Sequence, residues 1–295
     1  MNLEYIKTFL TVARTKSFRV AARELGISQP SVSQHIKKLE DSLNSQLIIR
    51  ERGGNQLTLK ALTFLPYAES IAYVVERSKS ALEEKNLNFS IGASSNIGIY
   101  LLPPYLKRYL TSFEDPPCVE LKINSNPQVA DKLAFGEVDL AVMEWWDNRS
   151  GFSAHLWRYE ELVLITPPDH PWQNLPVIPK GFLQDIEILG GERGTGTGRL
   201  LKQRLGSQAE TMRVSMQLGS TEAVKQAVQA GLGVSLVLAD SVVQEVQNGT
   251  LKAIPIDLDG MPLRKELFLV WRNSLPSDSS PIQFAQMLLA EGVSN

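Results

Sequence analysis

Residues 17–37 read SFRVAARELGISQPSVSQHIK, two short helical patterns joined by a tight Leu-Gly-Ile-Ser turn. Gly26 stands where a helix C-terminus wants a residue of positive φ. Ser28 stands where the next helix wants an N-cap. Val32, Ile36, Leu39 and Leu43 then share one narrow stripe at about 100° per residue. The opposite face carries Pro30, Ser33, Gln34 and Lys37. It is short, polar and rich in donors, as a helix lying in a DNA major groove must be. An ordinary helical hairpin with a solvated face is the alternative.

The flanking sequence favours the first reading. Upstream, Ile6, Phe9, Leu10 and Ala13 form an i, i+3, i+4, i+7 stripe, so a supporting helix is expected. Downstream, LIIRERGGNQLTL alternates apolar residues on both sides of Gly53-Gly54, which is a hairpin signal and reads as a wing. Arg50 and Arg52 flank its tip, within reach of phosphates beside the groove. Residues 1–60 hold ten Lys/Arg and five Asp/Glu, a charge of +5, while the remainder holds twenty and twenty-seven, a charge of −7. A basic head on an acidic body suits a chain of which one domain meets nucleic acid.

These residues resemble the LysR-type transcriptional regulators, and the resemblance covers the full length. It is carried by Phe9-Leu10, Ser17-Phe18, Ala21-Ala22, Leu25, Ser28-Gln29-Pro30-Ser31-Val32-Ser33, Ile36, Leu39-Glu40, Leu47, Arg50 and Leu57-Thr58. One departure stands out: the family's Thr-x-Ala-Gly after the wing is here Thr58-Leu59-Lys60-Ala61-Leu62. The reading places a winged helix-turn-helix domain at 1–58, with the helix-turn-helix at 18–37. Its DNA-contacting set is Gln29, Pro30, Ser31, Ser33, Gln34, Lys37, Arg50 and Arg52. Gln29, Ser33 and Gln34 would read bases, and Arg50 and Arg52 would hold phosphates.

Residues 59–87 form a long helical pattern with a seam of Leu62, Leu65, Ile71, Ala72, Val75, Ser78 and Leu82. A single helix cannot bury that seam, so a partner helix is expected, with Ile71, Val75 and Leu82 as its dimerisation residues. A surface helix packed on its own body is the alternative. Pro66 interrupts the pattern and should kink the helix or cost a hydrogen bond. From residue 88 onward, strand and helix patterns alternate: FSIGAS, VELKIN, VDLAVME, ELVLITP, IEILGG, MRVSM, GVSLVL, LKAIPI and ELFLVW are the strands. That argues βαβ units, a largely parallel sheet and two small α/β lobes. The resemblance implies a periplasmic-binding-protein-like effector domain at 88–295. Lobe I would take about 88–165 and 267–295, and lobe II about 166–266, with ELVLITP and ELFLVW as hinge strands.

In open α/β lobes ligands sit beyond the carboxyl ends of strands, at helix N-termini. That rule selects Ser94, Ser95 and Asn96 after the first strand, Asn126 after the second, and Thr195, Thr197 and Arg199 in the GERGTGTGR loop. It also selects Ser220 and Thr221 before the helix EAVKQAVQAG. GTGTGR has neither P-loop nor dinucleotide-fingerprint spacing, but its flexible amides, hydroxyls and Arg make an anion cradle. The loop also resembles the Gly-Ser-Gly-Thr-Arg segment of the family branch that regulates carbon and sulfur assimilation, with an extra glycine before the Arg. The expected effector is therefore a small anionic or polar metabolite. Asp139 reads as structural, and Glu144 with Trp145-Trp146 as rim or core.

Enzymatic readings find little support. The three histidines at 35, 155 and 170 are scattered, no G-x-S-x-G occurs, and no metal-ligand spacing appears. No catalytic residue, metal or cofactor is expected. The lone Cys118 reads as structural or incidental. The amino terminus MNLEYIKTFL lacks the shape of a signal peptide, and no apolar run approaches the ~18 residues of a membrane span, so a cytoplasmic location is expected. The resemblance implies double-stranded DNA, a small-molecule effector and further copies of the chain, as homodimer or homotetramer, as partners. It leaves RNA polymerase open as another. A solute-binding protein, or a binding-lobe enzyme fused to a basic head, is the alternative; a secretion signal or a catalytic set would favour it.

Overall fold

A computed structural model describes residues 1–51, 54–83, 89–191 and 196–292. Two compact units divide the chain: Met1–Lys85 with Ala134–Glu137, and Asn86–Leu133 with Val138–Asn295.

The first unit opens with α1 (Leu3–Thr15), α2 (Phe18–Leu25) and α3 (Gln29–Leu43). The caps explain the boundaries. Ser17 Oγ accepts the Val20 N–H and Ser28 Oγ the Ser31 N–H, while Gly26 ends α2 at φ +64°. Val32, Ile36 and Leu39 are buried against Phe9 and Ala21, as the stripe requires. On α1 the stripe differs from expectation: Val12 joins Ile6 and Phe9 in the core, and Leu10 and Ala13 are only half-buried at its edge. The three-residue step from Phe9 to Val12 faces α2 and α3 at once, which an isolated helical wheel does not disclose. The wing strands β1 (Ile48–Glu51) and β2 (Gly54–Leu57) pair antiparallel, Glu51 opposite Gly54. Glu40 of α3 accepts the N–H groups of Leu47 and Ile48 at 2.7 and 3.0 Å, fixing where the wing leaves the helix.

Helix α4 (Leu59–Glu83) follows and runs continuously through Pro66. Thr58 Oγ1 accepts the Ala61 N–H at 3.0 Å, so the departure from Thr-x-Ala-Gly leaves a working cap. Its length, 25 residues, spans about 37 Å. Ala61 and Ala68 are fully buried in the head's own core, and Phe64, Leu65 and Ile71 pack against it. Leu65 and Ile71, both of the expected seam, pack at the edge of this core and are half-buried. Val75 is half-buried, and the side chain of Leu82 lies outside the described residues. Among the described residues of α4, the large exposed apolar side chains are Leu59, Leu62, Tyr67 and Val74, and Leu62 belongs to the expected seam.

The second unit runs β3 (Phe89–Ser94), α5 (Leu102–Leu110), β4 (Val119–Asn124), α6 (Asn126–Phe135), β5 (Leu140–Met143), β6 (Phe152–Thr166), β7 (Ile178–Pro179) and β8 (Glu187–Gly190). It continues through α7 (Thr197–Leu205), β9 (Arg213–Gln217), α8 (Thr221–Gln229), β10 (Ser235–Leu238), α9 (Val243–Gln247), β11 (Lys252–Asp257), β12 (Arg264–Arg272) and α10 (Ser280–Gly292). A π-helical stretch, Ile97–Leu101, runs directly into α5, and Pro103 and Pro104 lie just after that junction.

The strand order is β4-β3-β5-β12-β6-β11-β7, with β10 also on β6. Pairs β3/β4 and β3/β5 are parallel, but β12 runs antiparallel to β5 and β6, and β6 antiparallel to β10 and β11. The expectation of a largely parallel sheet is therefore corrected to a mixed one: the strands that carry the chain between lobes reverse direction. Strand β6 is 15 residues long and starts at Phe152, well before ELVLITP. Its first part, FSAHLWRYE, does not alternate cleanly, and its pairing with β12 makes it a strand. Phe152–Glu161 pairs with β12 and Leu162–Thr166 with β10 and β11, so the first crossing falls at Glu161/Leu162, a few residues before 165/166. Beyond it, Leu162 and Leu164 enter one core and Val163 and Ile165 another, which is why this segment reads as unbroken hydrophobe.

Candidate functional site

Helix α3 presents Gln29, Pro30, Gln34 and Lys37 fully to solvent, with Ser31 and Ser33 half-exposed. The Ser31 hydroxyl lies 2.7 Å from Ser28 Oγ, so it is engaged in the cap as well as facing outward. Arg50 sits on β1 opposite Asn55, and its side chain lies outside the described residues, as does all of Arg52. Sequence reasoning missed His35. The Thr8 hydroxyl donates to the Glu4 carbonyl at 2.7 Å, so its oxygen accepts from His35 Nδ1–H at 2.9 Å. The His35 ring also packs on Tyr5, centroids 4.9 Å apart. This tie between α1 and α3 positions the exposed face, and its signal in the sequence was one histidine beside an apolar stripe.

In the second unit a cavity of about 480 Å³ opens between the lobes. Of the anticipated residues, Asn96, Thr197, Arg199 and Thr221 line it, and Trp145 and Lys265 join them. Asn96 Oδ1 accepts the Thr221 hydroxyl at 2.6 Å, and its Nδ2 lies 3.4 Å from Glu144 Oε1. Glu144 in turn receives Lys265 Nζ at 2.5 Å, with both side chains nearly sealed from water. Glu144 is therefore a buried counter-charge rather than a rim residue. Arg199 packs over the Trp145 ring, 5.2 Å from its centroid. Gly196, the α7 N-cap at φ +78°, permits this approach, because a Cβ there would lie 2.7 Å from Trp145 Cδ1. Trp146 is core. The first turn of α7 brings Thr197, Gly198 and Arg199 to the cavity, which Lys202 and Lys265 also line.

The other anticipated residues do not meet at this cavity. Asn126 is 1% exposed, and both its polar atoms are used: Oδ1 accepts the Glu144 N–H at 2.8 Å, and Nδ2 donates to the Trp145 carbonyl at 3.0 Å. It clamps the end of β5 and thereby aims Glu144 and Trp145. Ser220 Oγ is the α8 N-cap, accepting the Ala223 N–H. Ser94 is buried and Ser95 half-buried, both outside the cavity lining. Thr195 and Glu192 lie outside the described residues. Asp139 is structural, its carboxylate accepting the Ser90 N–H at 2.8 Å.

Lys265 could not be anticipated. It stands in RKELFLVW like any strand lysine, and only the pairing of β12 with β5 and β6 brings it to Glu144. Two further charged groups are buried in this unit. Lys225 Nζ is 2.8 Å from both Glu222 and Glu245; burial pulls its pKa down, but these carboxylates together hold it above the usual lysine range. Beside the first crossing, Glu160 is buried, and burial pushes its carboxyl up to about 7 against the pull of Arg158.

The family model of the bacterial regulatory helix-turn-helix protein, lysR family, matches residues 3–62, and that of the LysR substrate binding domain matches 83–292. The chain belongs to the LysR family. A putative HTH-type transcriptional regulator, PtxE, of Stutzerimonas stutzeri is 43% identical over 197 residues, which is 67% of this chain and 100% of that one. A probable RuBisCO transcriptional regulator of Cyanidioschyzon merolae is 29% identical, covering 98% and 97% of the two chains. That likeness agrees with the branch to which the glycine-rich loop pointed. Among solved structures, full-length CbnR complexed with its target DNA superimposes with a TM-score of 0.74 at 18% identity, covering 99% of each chain, and shares the fold. The chain is thus a DNA-binding transcriptional regulator of the LysR type with an effector-binding domain. No helix among the described residues is long and apolar enough to cross a membrane, and no described group of side chains is arranged to hold a metal.

Proposed function

We propose that this regulator reads base edges through Gln29, Ser33 and Gln34 of α3 and phosphates through Lys37, Arg50 and Arg52. It senses a small anionic or polar metabolite held by Asn96, Thr197, Arg199 and Thr221. The observation that carries the DNA reading is the division of α3: three buried aliphatics on one face, and Gln29, Gln34 and Lys37 in solvent on the other. Arg199 and Lys202 at the cavity support the anion. The chain works in the cytoplasm, without catalysis of its own and without a bound cofactor. It acts as a homodimer or a homotetramer, which the exposed Leu62, Tyr67 and Val74 of α4 support. Replacing Gln34 by Ala should cost roughly 1–3 kcal/mol at the specific promoter and little on random DNA. Band-shift titrations on both DNAs decide it: equal losses on the two would refute base reading by Gln34.

A further inference from the structure

We propose that the occupant of the interlobe cavity is an organic anion with a sizeable apolar body, not a small inorganic or wholly polar one. The proposal rests on the effector reading above and narrows it. The cavity's polar lining includes Asn96, Thr221, Arg199, Lys202, Gln217 and Ser235. Much of the rest of the wall is aliphatic: Ile188 of β8, Leu201 of α7, Met212, and Leu236 and Leu238 of β10. Four of these, Ile188, Leu201, Leu236 and Leu238, belong to the lobe II core. The cavity therefore penetrates that core beneath α7 instead of stopping at its surface. Its volume, about 480 Å³, lies in the range of about 300–1,000 Å³ that holds drug-sized molecules.

A bare phosphate or acetate would occupy only part of this volume. The remaining space would leave aliphatic wall uncovered. Beside that wall water finds few partners, and the wall atoms would lose their contacts. An apolar body restores them and completes the core over which α7 lies. A lining of both polar and aliphatic residues thus calls for one ligand with both characters: a carboxylate or phosphate head toward Arg199, and a chain or ring toward Met212 and Leu236.

Titration calorimetry on the full chain tests this with two graded sets of probes. The first is acetate, butyrate, hexanoate and octanoate, with hexanamide as the neutral control. The second is inorganic phosphate against hexyl phosphate, and comparing hexyl phosphate with hexanoate identifies the preferred head. Affinity should rise about threefold to fourfold per added methylene. Hexanamide should bind at least tenfold more weakly than hexanoate. Met212→Trp, which adds bulk at the aliphatic wall, should flatten the series so that octanoate binds no more tightly than acetate. A flat or falling series in the wild type, no binding by any probe, or a rise that Met212→Trp leaves intact would each overturn the proposal. The wild-type series stands by itself if that variant fails to fold. Arg199→Ala separates the two readings. A flat series with short-anion binding lost in Arg199→Ala overturns only the apolar body. Short-anion affinity unchanged in Arg199→Ala overturns the cleft reading as well.

Discussion

Glu160 offers a quantitative test of how the first crossing strand is held. Its side chain is 3% exposed on β6, flanked by Arg158, Glu161 and Asp240. Burial raises its folded pKa from 4.5 to about 7, the neighbouring Asp240 and Glu161 add to the rise, and Arg158 opposes it. The unfolded chain therefore gives up this proton at lower pH than the native protein does. Between the two pKa values the native state binds more protons, so stability falls as pH rises through that window and levels off above it. For a shift from 4.5 to about 7, the cost relative to full protonation is about 1 kcal/mol at pH 5 and about 3 kcal/mol at pH 8. Glu160→Gln keeps the shape and removes the titration. Any pH-independent change in contacts with Arg158 cancels when the variant is compared with itself across pH. The variant should gain about 2.5 kcal/mol relative to the wild type on going from pH 5 to pH 8. All five tryptophans, at 145, 146, 157, 172 and 271, lie in the second unit, so urea unfolding followed by tryptophan fluorescence reports that unit alone. Wild-type and variant curves that stay parallel from pH 5 to pH 8 would refute the argument.

Lys265→Met leaves Glu144 buried without its partner and should destabilise the second unit by about 3–5 kcal/mol; adding Glu144→Gln should recover most of that in the same fluorescence assay, and no recovery would mean that the ion pair is not the cause. Val74→Asp places a charge on the exposed apolar face of α4 and should shift sedimentation toward smaller species. Ile71→Asp should instead lower the melting temperature of the helical head, since Ile71 packs on the core around Phe9; an unchanged melt would show that the residue faces a partner after all.

The helix-turn-helix was legible because every signal that builds it is local. Gly26 and Ser28 set the ends of their helices by their own backbone and side-chain chemistry, and the spacing of Val32, Ile36 and Leu39 chose the buried face. The strand–helix alternation of the second unit was legible for the same reason. Direction and partnership were not. Strand β6 turned out to be long and antiparallel because β12, more than a hundred residues later, lies along it.

The binding region divides in the same way. Rules about strand ends and helix starts selected Asn96, Thr197, Arg199 and Thr221, which line the cavity, because those rules follow from backbone geometry within one βα unit. They also selected Asn126 and Ser220, whose polar atoms are spent inside the fold on Glu144, Trp145 and Ala223. Any capping residue looks available until its partner is known. Lys265 and the aliphatic depth of the cavity belong wholly to tertiary structure. The sequence by itself determined the DNA-reading head, since helix caps and helical period act over a few residues. Which side chains meet at the interlobe cavity was decided only by pairings across the sheet, because residues 121 positions apart, such as Glu144 and Lys265, meet through the path of the whole chain.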